Sequence, residues 1–196
     1  MKIRILSSDD VRQALPMETA IEGMKLAFSR FSSGRVEMPL RSRVHVPEQE
    51  GVLLTMPAAI PDDGEMAVKI VTVFGTNPAR GFPLIHAAVL VLDADNGQVK
   101  ALMDGEVLTA VRTGAGVGVA TDLLAPSDAV TVAIIGSGKQ ACSQLDAVCT
   151  VRSIRQAWVY SPNSEHAQTF AEEMSGVGPI PNNVQAVSSS AEAVKN

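Results

Sequence analysis

The sequence predicts an α/β protein in two unlike parts. Residues 1–124 read as an α+β domain, and residues 125–196 as the opening of a parallel sheet. Three observations predict this. Residues 37–104 hold β-branched runs parted by Pro- and Gly-rich turns. Residues 105–124 form one stretch of small and apolar residues, GEVLTAVRTGAGVGVATDLL, with helical character. Residues 130–141, VTVAIIGSGKQA, pass from an apolar strand through a tight glycine turn into a helix. With 46% hydrophobic but only 4% aromatic residues, the core is expected to be aliphatic, as where helices cover buried strands. A chain of 196 residues can bury such a core in one large or two small domains.

The elements follow in order. Ser8-Asp9-Asp10 starts a short helix that stops before Pro16. Glu18–Ser32 is amphipathic, with Ile21, Met24, Leu26, Ala27 and Phe31 as its apolar residues, and Ser33-Gly34 ends it. Strands are predicted at Leu40–Val46, Val52–Pro57, Ala67–Phe74 and Ile85–Asp93, divided by the turns PEQEG, PDDGE and NPARGFP. DADNG is a hairpin-type turn into Val99–Met103, after which Asp104 caps the helix Gly105–Leu124. The linker Ala125-Pro126-Ser127-Asp128 leads to a strand at Val130–Ile135, a helix over Gly138–Thr150 and a strand at Gln156–Tyr160. A weaker strand at Val184–Val187 and a helix start at Ser190 complete the chain. A dinucleotide crevice lies where the strand order reverses, and two clear strands do not reach that point. The second part therefore reads as a truncated Rossmann-type domain, and the chain as a piece of a longer one.

Bulk properties exclude several classes. The net charge of −5 comes with no basic cluster, which argues against nucleic acid as a partner. MKIRILSSDDV is no secretory signal. No apolar run is read as approaching the roughly 20 residues of a membrane span. Cys142 and Cys149 lie seven apart on one predicted helix, about 10 Å between Cα atoms, too far for a disulfide. They are expected to be reduced core residues of a cytoplasmic protein.

The glycine turn carries the clearest chemistry. Gly136 permits the sharp bend, Gly138 lets the backbone approach a pyrophosphate, and Ala141 lets the helix lie close to the strand. The helix N-terminus adds free N–H groups and a positive dipole end. NAD or NADP is the expected cofactor. After the second strand stands Ser161-Pro162-Asn163-Ser164 instead of the acidic residue that would bond an NAD ribose. Ser161 and Asn163 tolerate a 2′-phosphate better than a carboxylate would, a slight lean to NADP.

Four basic residues are candidates for holding an anion or moving a proton. Lys69 lies within AVKIVTVF, either on a covered strand, where burial lowers an ammonium pKa, or on an edge in solvent. Arg41 and Arg43 alternate along a strand and share a face, where either could clamp a carboxylate or simply meet water. Arg112 shares a helical face with Thr109 and Thr113. Around it Gly114, Gly116 and Gly118 weaken the helix and point to close approach by another backbone or a ligand. His45, His86 and His166 are scattered and form no metal-binding spacing.

Taken together, MPLRSR (38–43), GVLLTMPA (51–58), AVKIVTVF (67–74), RGFPLIHAAVLVLDADNGQVKALMDG (80–105), LTAVRTGAGVGVAT (108–121) and VAIIGSGKQA (132–141) resemble the ornithine cyclodeaminase/mu-crystallin family. The resemblance implies a homodimer with an N-terminal substrate-binding and dimerisation domain and a Rossmann NAD(P)-binding domain. It implies that Arg41 and Arg112 hold a substrate carboxylate and that Lys69 lies beside it as the catalytic proton carrier. Gly136, Ser137, Gly138, Lys139 and Gln140 would hold the pyrophosphate, with Arg112 and Thr113 near the cofactor. The implied activity is hydride transfer at the α-carbon of a small amino or imino acid, as in a ketimine reductase or amino-acid dehydrogenase. Ornithine cyclisation and non-catalytic ligand binding of the mu-crystallin type are the alternatives. Leu53-Leu54-Thr55 stands where ornithine cyclodeaminases carry an acidic residue for the distal amine, so ornithine is the less expected substrate.

Overall fold

The computed structural model describes residues 2–195. They form two compact units, one of residues up to 15 with 26–109, the other of 16–25 with 110 onward. This division differs from a cut after residue 124. Helices α2 (Met17–Ser32) and α3 (Gly105–Leu124) each run through the boundary. The start of α2 and most of α3 go with the second unit because Ile21 and Ala147 close on Gly118 there.

The first unit is a six-stranded sheet with α1 (Ser8–Ala14) beside it. Its strands are β1 (Arg4–Leu6), β2 (Ser42–Val46), β3 (Gly51–Ile60), β4 (Glu65–Phe74), β5 (Ile85–Asp93) and β6 (Val99–Asp104). They lie in the order β1-β6-β5-β4-β3-β2. All neighbours are antiparallel except β1 and β6, which run parallel. The sequence reading did not anticipate β1, because three residues are too few to show a period of two. Ser7, one residue before the expected start, caps α1 in a reciprocal box with Asp10.

β3 and β4 are longer than expected, and β3 contains Pro57 without penalty. Ala59 donates to and accepts from Glu37 on the β2 side, so the nitrogen of Pro57, two residues earlier, faces that side as well. The β2 ladder has ended there at Ser42–Thr55, and no donor is needed. At the end of α2, Arg30 donates to both carboxylate oxygens of Asp63, at 3.2 and 2.6 Å, which pins the helix to the β3–β4 turn.

The second unit is a parallel three-stranded sheet, β7 (Thr131–Ile135), β8 (Gln156–Tyr160) and β9 (Val184–Ala186), in that order. α4 (Lys139–Val151) and α5 (Ser164–Met174) bury Leu145, Val148, Phe170 and Ala171 against Ile134, Ala157 and Val159. α6 (Ser190–Lys195) lies against β7 and β8. The period-two pattern of the strands and the 3.6 period of α4 and α5 thus meet in one aliphatic core.

Gly114 and Gly118 of α3 serve helix packing. A Cβ at Gly114 would overlap the backbone carbonyl of Ser143, and one at Gly118 would stand 2.8 Å from Ile21 and 3.2 Å from Ala147. At Gly114 the close neighbour is another backbone, and at Gly118 it is the side chains of Ile21 and Ala147. Among the described residues α3 is long and apolar enough to cross a membrane, which corrects the expectation that no run approaches that length. Its Ala115 and Val119 are instead buried in the fold.

Arg152, which the sequence reading passed over, closes the far end of α3. Its side chain is 8% exposed. It donates to the carbonyls of Thr121, Asp122, Ala125 and Pro126 at 2.8–3.0 Å and to the Asp122 carboxylate at 3.2 Å. Lys25 adds a contact of 2.8 Å to the same carboxylate. Lys25 first, then Arg152, holds the Asp122 carboxyl below its ordinary pKa. On α4, Asp146 is pushed the other way, by burial and then by Glu18.

Three outcomes follow from this packing. Gly114→Ala is expected to cost roughly 1–3 kcal/mol of stability through overpacking, read from urea denaturation. Arg152→Ala is expected to cost at least about 2 kcal/mol, because several charged hydrogen bonds go and buried carbonyls lose their donor. Asp146 binds its proton more tightly folded than unfolded. Its cost to stability is therefore absent in acid and grows as pH rises above the ordinary value of 3.8. Asp146→Asn is expected to raise Tm at neutral pH, with the gain vanishing in acid.

Candidate functional site

Functional side chains gather in two places, one in each unit. In the second unit, β7 ends at Ile135 and the chain bends at Gly136, whose φ is +104°. That conformation favours glycine. The Gly136 N–H donates to the carbonyl of Tyr160 at 2.7 Å, so the bend is tied to the end of β8. Gly138 is the N-cap of α4, and no side chain caps the helix. A Cβ added at Gly138 would meet nothing within 4 Å. The turn therefore leaves an open approach to uncapped N–H groups at the positive end of a 13-residue helix. A groove of about 360 Å³ lies against it, lined by Gly136, Gly138, Gln140, Gln144, Val117 and strand residues of β7. Gln144 was not singled out from the sequence. Its position one turn after Gln140 on α4 was the available signal.

These features fit a dinucleotide. They offer an uncapped helix start, a glycine where the backbone must be approached and no side chain in the way. Ser137 is half-buried, while Lys139 and Gln140 are exposed. Arg112 is exposed on α3, and Thr113 beside it is half-buried; both are in this unit. Ser161 follows β8. Asn163 is occupied mainly in capping α5, its side-chain oxygen accepting from the N–H groups of Glu165 and His166 at 2.9 and 3.2 Å. Only its amide NH₂ is left for a ligand.

In the first unit, register places the basic residues. Lys69 pairs with Met56 on one side and Val89 on the other. Arg43 pairs with Leu54, which pairs with Val71, two residues from Lys69. Directly paired residues share a sheet face, so Arg43, Leu54, Val71 and Lys69 all stand on one face. Arg41 does not share the strand with Arg43 as alternation predicts: β2 begins at Ser42, because its ladder with β3 ends at Ser42–Thr55, and Arg41 stands one residue before it. Arg43 and Lys69 are two strand spacings apart, about 10 Å across the ladder, and one pleat apart along it. Lys69 sits on a central strand and is half-buried, so the edge-strand alternative falls away. Arg41 and Arg43 are exposed and line a groove of about 510 Å³ with His45, Val52 and Leu54.

The remaining candidates play lesser parts. His86 Nδ1 lies 3.9 Å from Glu106, and His166 is exposed on α5. Cys149 is buried and its thiol is pushed up to about 11 by burial, then by Asp146, so it is no thiolate nucleophile at neutral pH.

Comparison with known proteins agrees over the whole chain. The ornithine cyclodeaminase/mu-crystallin family matches residues 1–196. A Δ1-pyrroline-2-carboxylate reductase of Bacillus cereus is 35% identical over 168 residues, which are 86% of this chain and 52% of the relative. The Thermococcus litoralis Δ1-pyrroline-2-carboxylate reductase, solved with NADH and L-proline, superposes with a TM-score of 0.88 at 40% identity. That match covers 97% of this chain and 58% of the reductase. An archaeal alanine dehydrogenase dimer with bound NAD superposes with a TM-score of 0.85 at 28% identity, over 96% of this chain and 57% of the other. This chain thus spans about half the length of the curated relatives it matches first.

Proposed function

The chain belongs to the ornithine cyclodeaminase/mu-crystallin family, and from that premise we propose that it carries part of an NAD(P)-dependent oxidoreductase acting at the α-carbon of a small α-imino or α-amino acid. The observation that supports this best is the open glycine turn at the start of α4, together with a half-buried Lys69 on a central strand of the first unit.

The roles divide between the two units. Arg41 and Arg112 hold the substrate carboxylate through charged hydrogen bonds. Lys69, half-buried among Met56, Val71 and Val89, carries a proton to or from the substrate nitrogen. Gly136, Ser137, Gly138, Lys139 and Gln140 receive the pyrophosphate, and Thr113, Ser161 and the amide of Asn163 stand as further cofactor contacts. NAD or NADP, when bound, supplies or takes the hydride. The face beside Lys69 is apolar, with Leu54, Val71, Ala58 and Ala67 flanking it. The nearest carboxylate along β4 on that face is Glu65, four residues from Lys69. A distal ammonium would lack a partner there, which favours an imino acid such as pyrroline-2-carboxylate over ornithine. The archaeal neighbour is a dimer. Val44 on the edge strand β2 is 58% exposed and Leu40, just before it, 96%, a surface suited to a second copy of the chain in a homodimeric, cytoplasmic enzyme.

The test follows nicotinamide absorbance with pyrroline-2-carboxylate in the natural protein that carries this chain. Lys69→Ala is expected to lower kcat/KM by about 10²-fold or more while leaving cofactor affinity unchanged. Full activity without Lys69 removes it from the chemistry. Gly138→Ala is expected to shift stability by no more than about 0.5 kcal/mol. It should weaken dinucleotide binding at least tenfold by fluorescence titration, because its methyl group occupies the open approach.

A further inference from the structure

We infer that the end of the first unit's sheet where β1 begins is a second small-molecule site, one that takes a free α-amino acid with an aliphatic side chain and is separate from Lys69. A cavity of about 730 Å³ lies there, a size usual for small-ligand sites. Register fixes its floor. Arg4 of β1 pairs with Ala101, Ala101 with Val91, and Val91 with Ala67, so all four stand on one sheet face. One row along, Leu6 pairs with Met103 on the same face. Ala101 is buried, and Val91 and Met103 are half-buried, so the floor is apolar. Lys69 does not line this cavity. Glu65, which does, stands four residues before Lys69 on β4, about 13 Å along the strand.

The charges around this floor are of both signs and are kept apart. Lys2 and Arg4 are exposed on the β1 side, and Glu65 on the β4 side. None of the three has an ion pair or hydrogen bond to another described residue. Asp93, which pairs with Glu65 in register, is already engaged by Lys100 at 3.1 Å, so Glu65 is the carboxylate left for a ligand. Arg4 and Glu65 are three strand spacings and one pleat apart, about 16 Å between backbones. A zwitterion between them completes both. Its carboxylate meets Arg4 and Lys2 through charged hydrogen bonds, and its ammonium meets Glu65. The aliphatic side chain then lies on Val91, Ala101 and Met103. A simple anion leaves Glu65 without a partner, and a simple amine leaves Arg4 without one. Charge on an edge strand also serves to discourage strand pairing; a solvated role of that kind predicts no ligand preference at all.

Calorimetry on the natural protein that carries this chain separates these possibilities, using L-leucine against isocaproate, which lacks the ammonium, and isoamylamine, which lacks the carboxylate. L-Leucine is expected to bind at least about tenfold more tightly than either analogue. Arg4→Gln and Glu65→Gln should each remove most of that advantage, and their exposed positions should leave thermal unfolding unchanged. Lys69→Ala should leave leucine affinity within about twofold, because Lys69 shares no partner with the cavity. If leucine shows no advantage over its analogues, or keeps it in either Gln variant, the second site is overturned. If it keeps the advantage in both and loses binding in Lys69→Ala, leucine occupies the site of the α-carbon chemistry, which then stands alone.

Discussion

The Arg152 guanidinium is the constraint on which the second unit depends. A helix of 20 residues ends in carbonyls that have no partner within the helix. Here one planar cation, held out of water, gathers the last of them together with the linker that follows. The same residue stands immediately after α4, so the ends of α3 and α4 are fixed to one point. Asp122 then neutralises the cation and passes the tie to α2 through Lys25. With both helices anchored at that end, the glycines of α3 let them stay in close contact along their length. The start of α4, where the glycine turn sits, is carried at the other end of that rigid pair.

The first unit solves a different problem, that of bringing charged groups together on a sheet whose strands are far apart in sequence. Hydrogen-bond register does this without any direct contact between them. The pairings Lys69–Met56 and Arg43–Leu54 fix which side chains share a face. A slip of one residue in β3 would turn Arg43 away from the lysine. The gap opposite Pro57 supports the same register from the other side, because it marks where β2 must stop.

Much of this was legible in the chain. The limits of β5, α3 and β8 were read to the residue, because period and caps agreed: Asp104 accepts from the N–H of Val107 as its position implies. The glycine turn was legible for the same reason, since strand, turn and helix signals coincided over a dozen residues. Alternation put Arg41 and Arg43 on one strand face, but β2 starts at Ser42 and leaves Arg41 outside the ladder. Lys69 could not be joined to Arg43, because which strands are neighbours is a tertiary fact. Arg152 was invisible for a related reason. A lone arginine between a helix and a strand has no local pattern, and its partners lie 26–31 residues earlier. Asn163 illustrates the opposite error: its position after β8 suggested a ribose contact, while local chemistry committed its oxygen to capping α5.

The three-stranded sheet has β7 at its margin. Its residues, TVAII, are uncharged, β-branched or small, and free of proline. An edge of that composition is a template for intermolecular strand addition. No lysine, bulge or proline within β7 itself discourages this. A charge placed on the outer side of Thr131–Ile135 would discourage such pairing while leaving the core untouched.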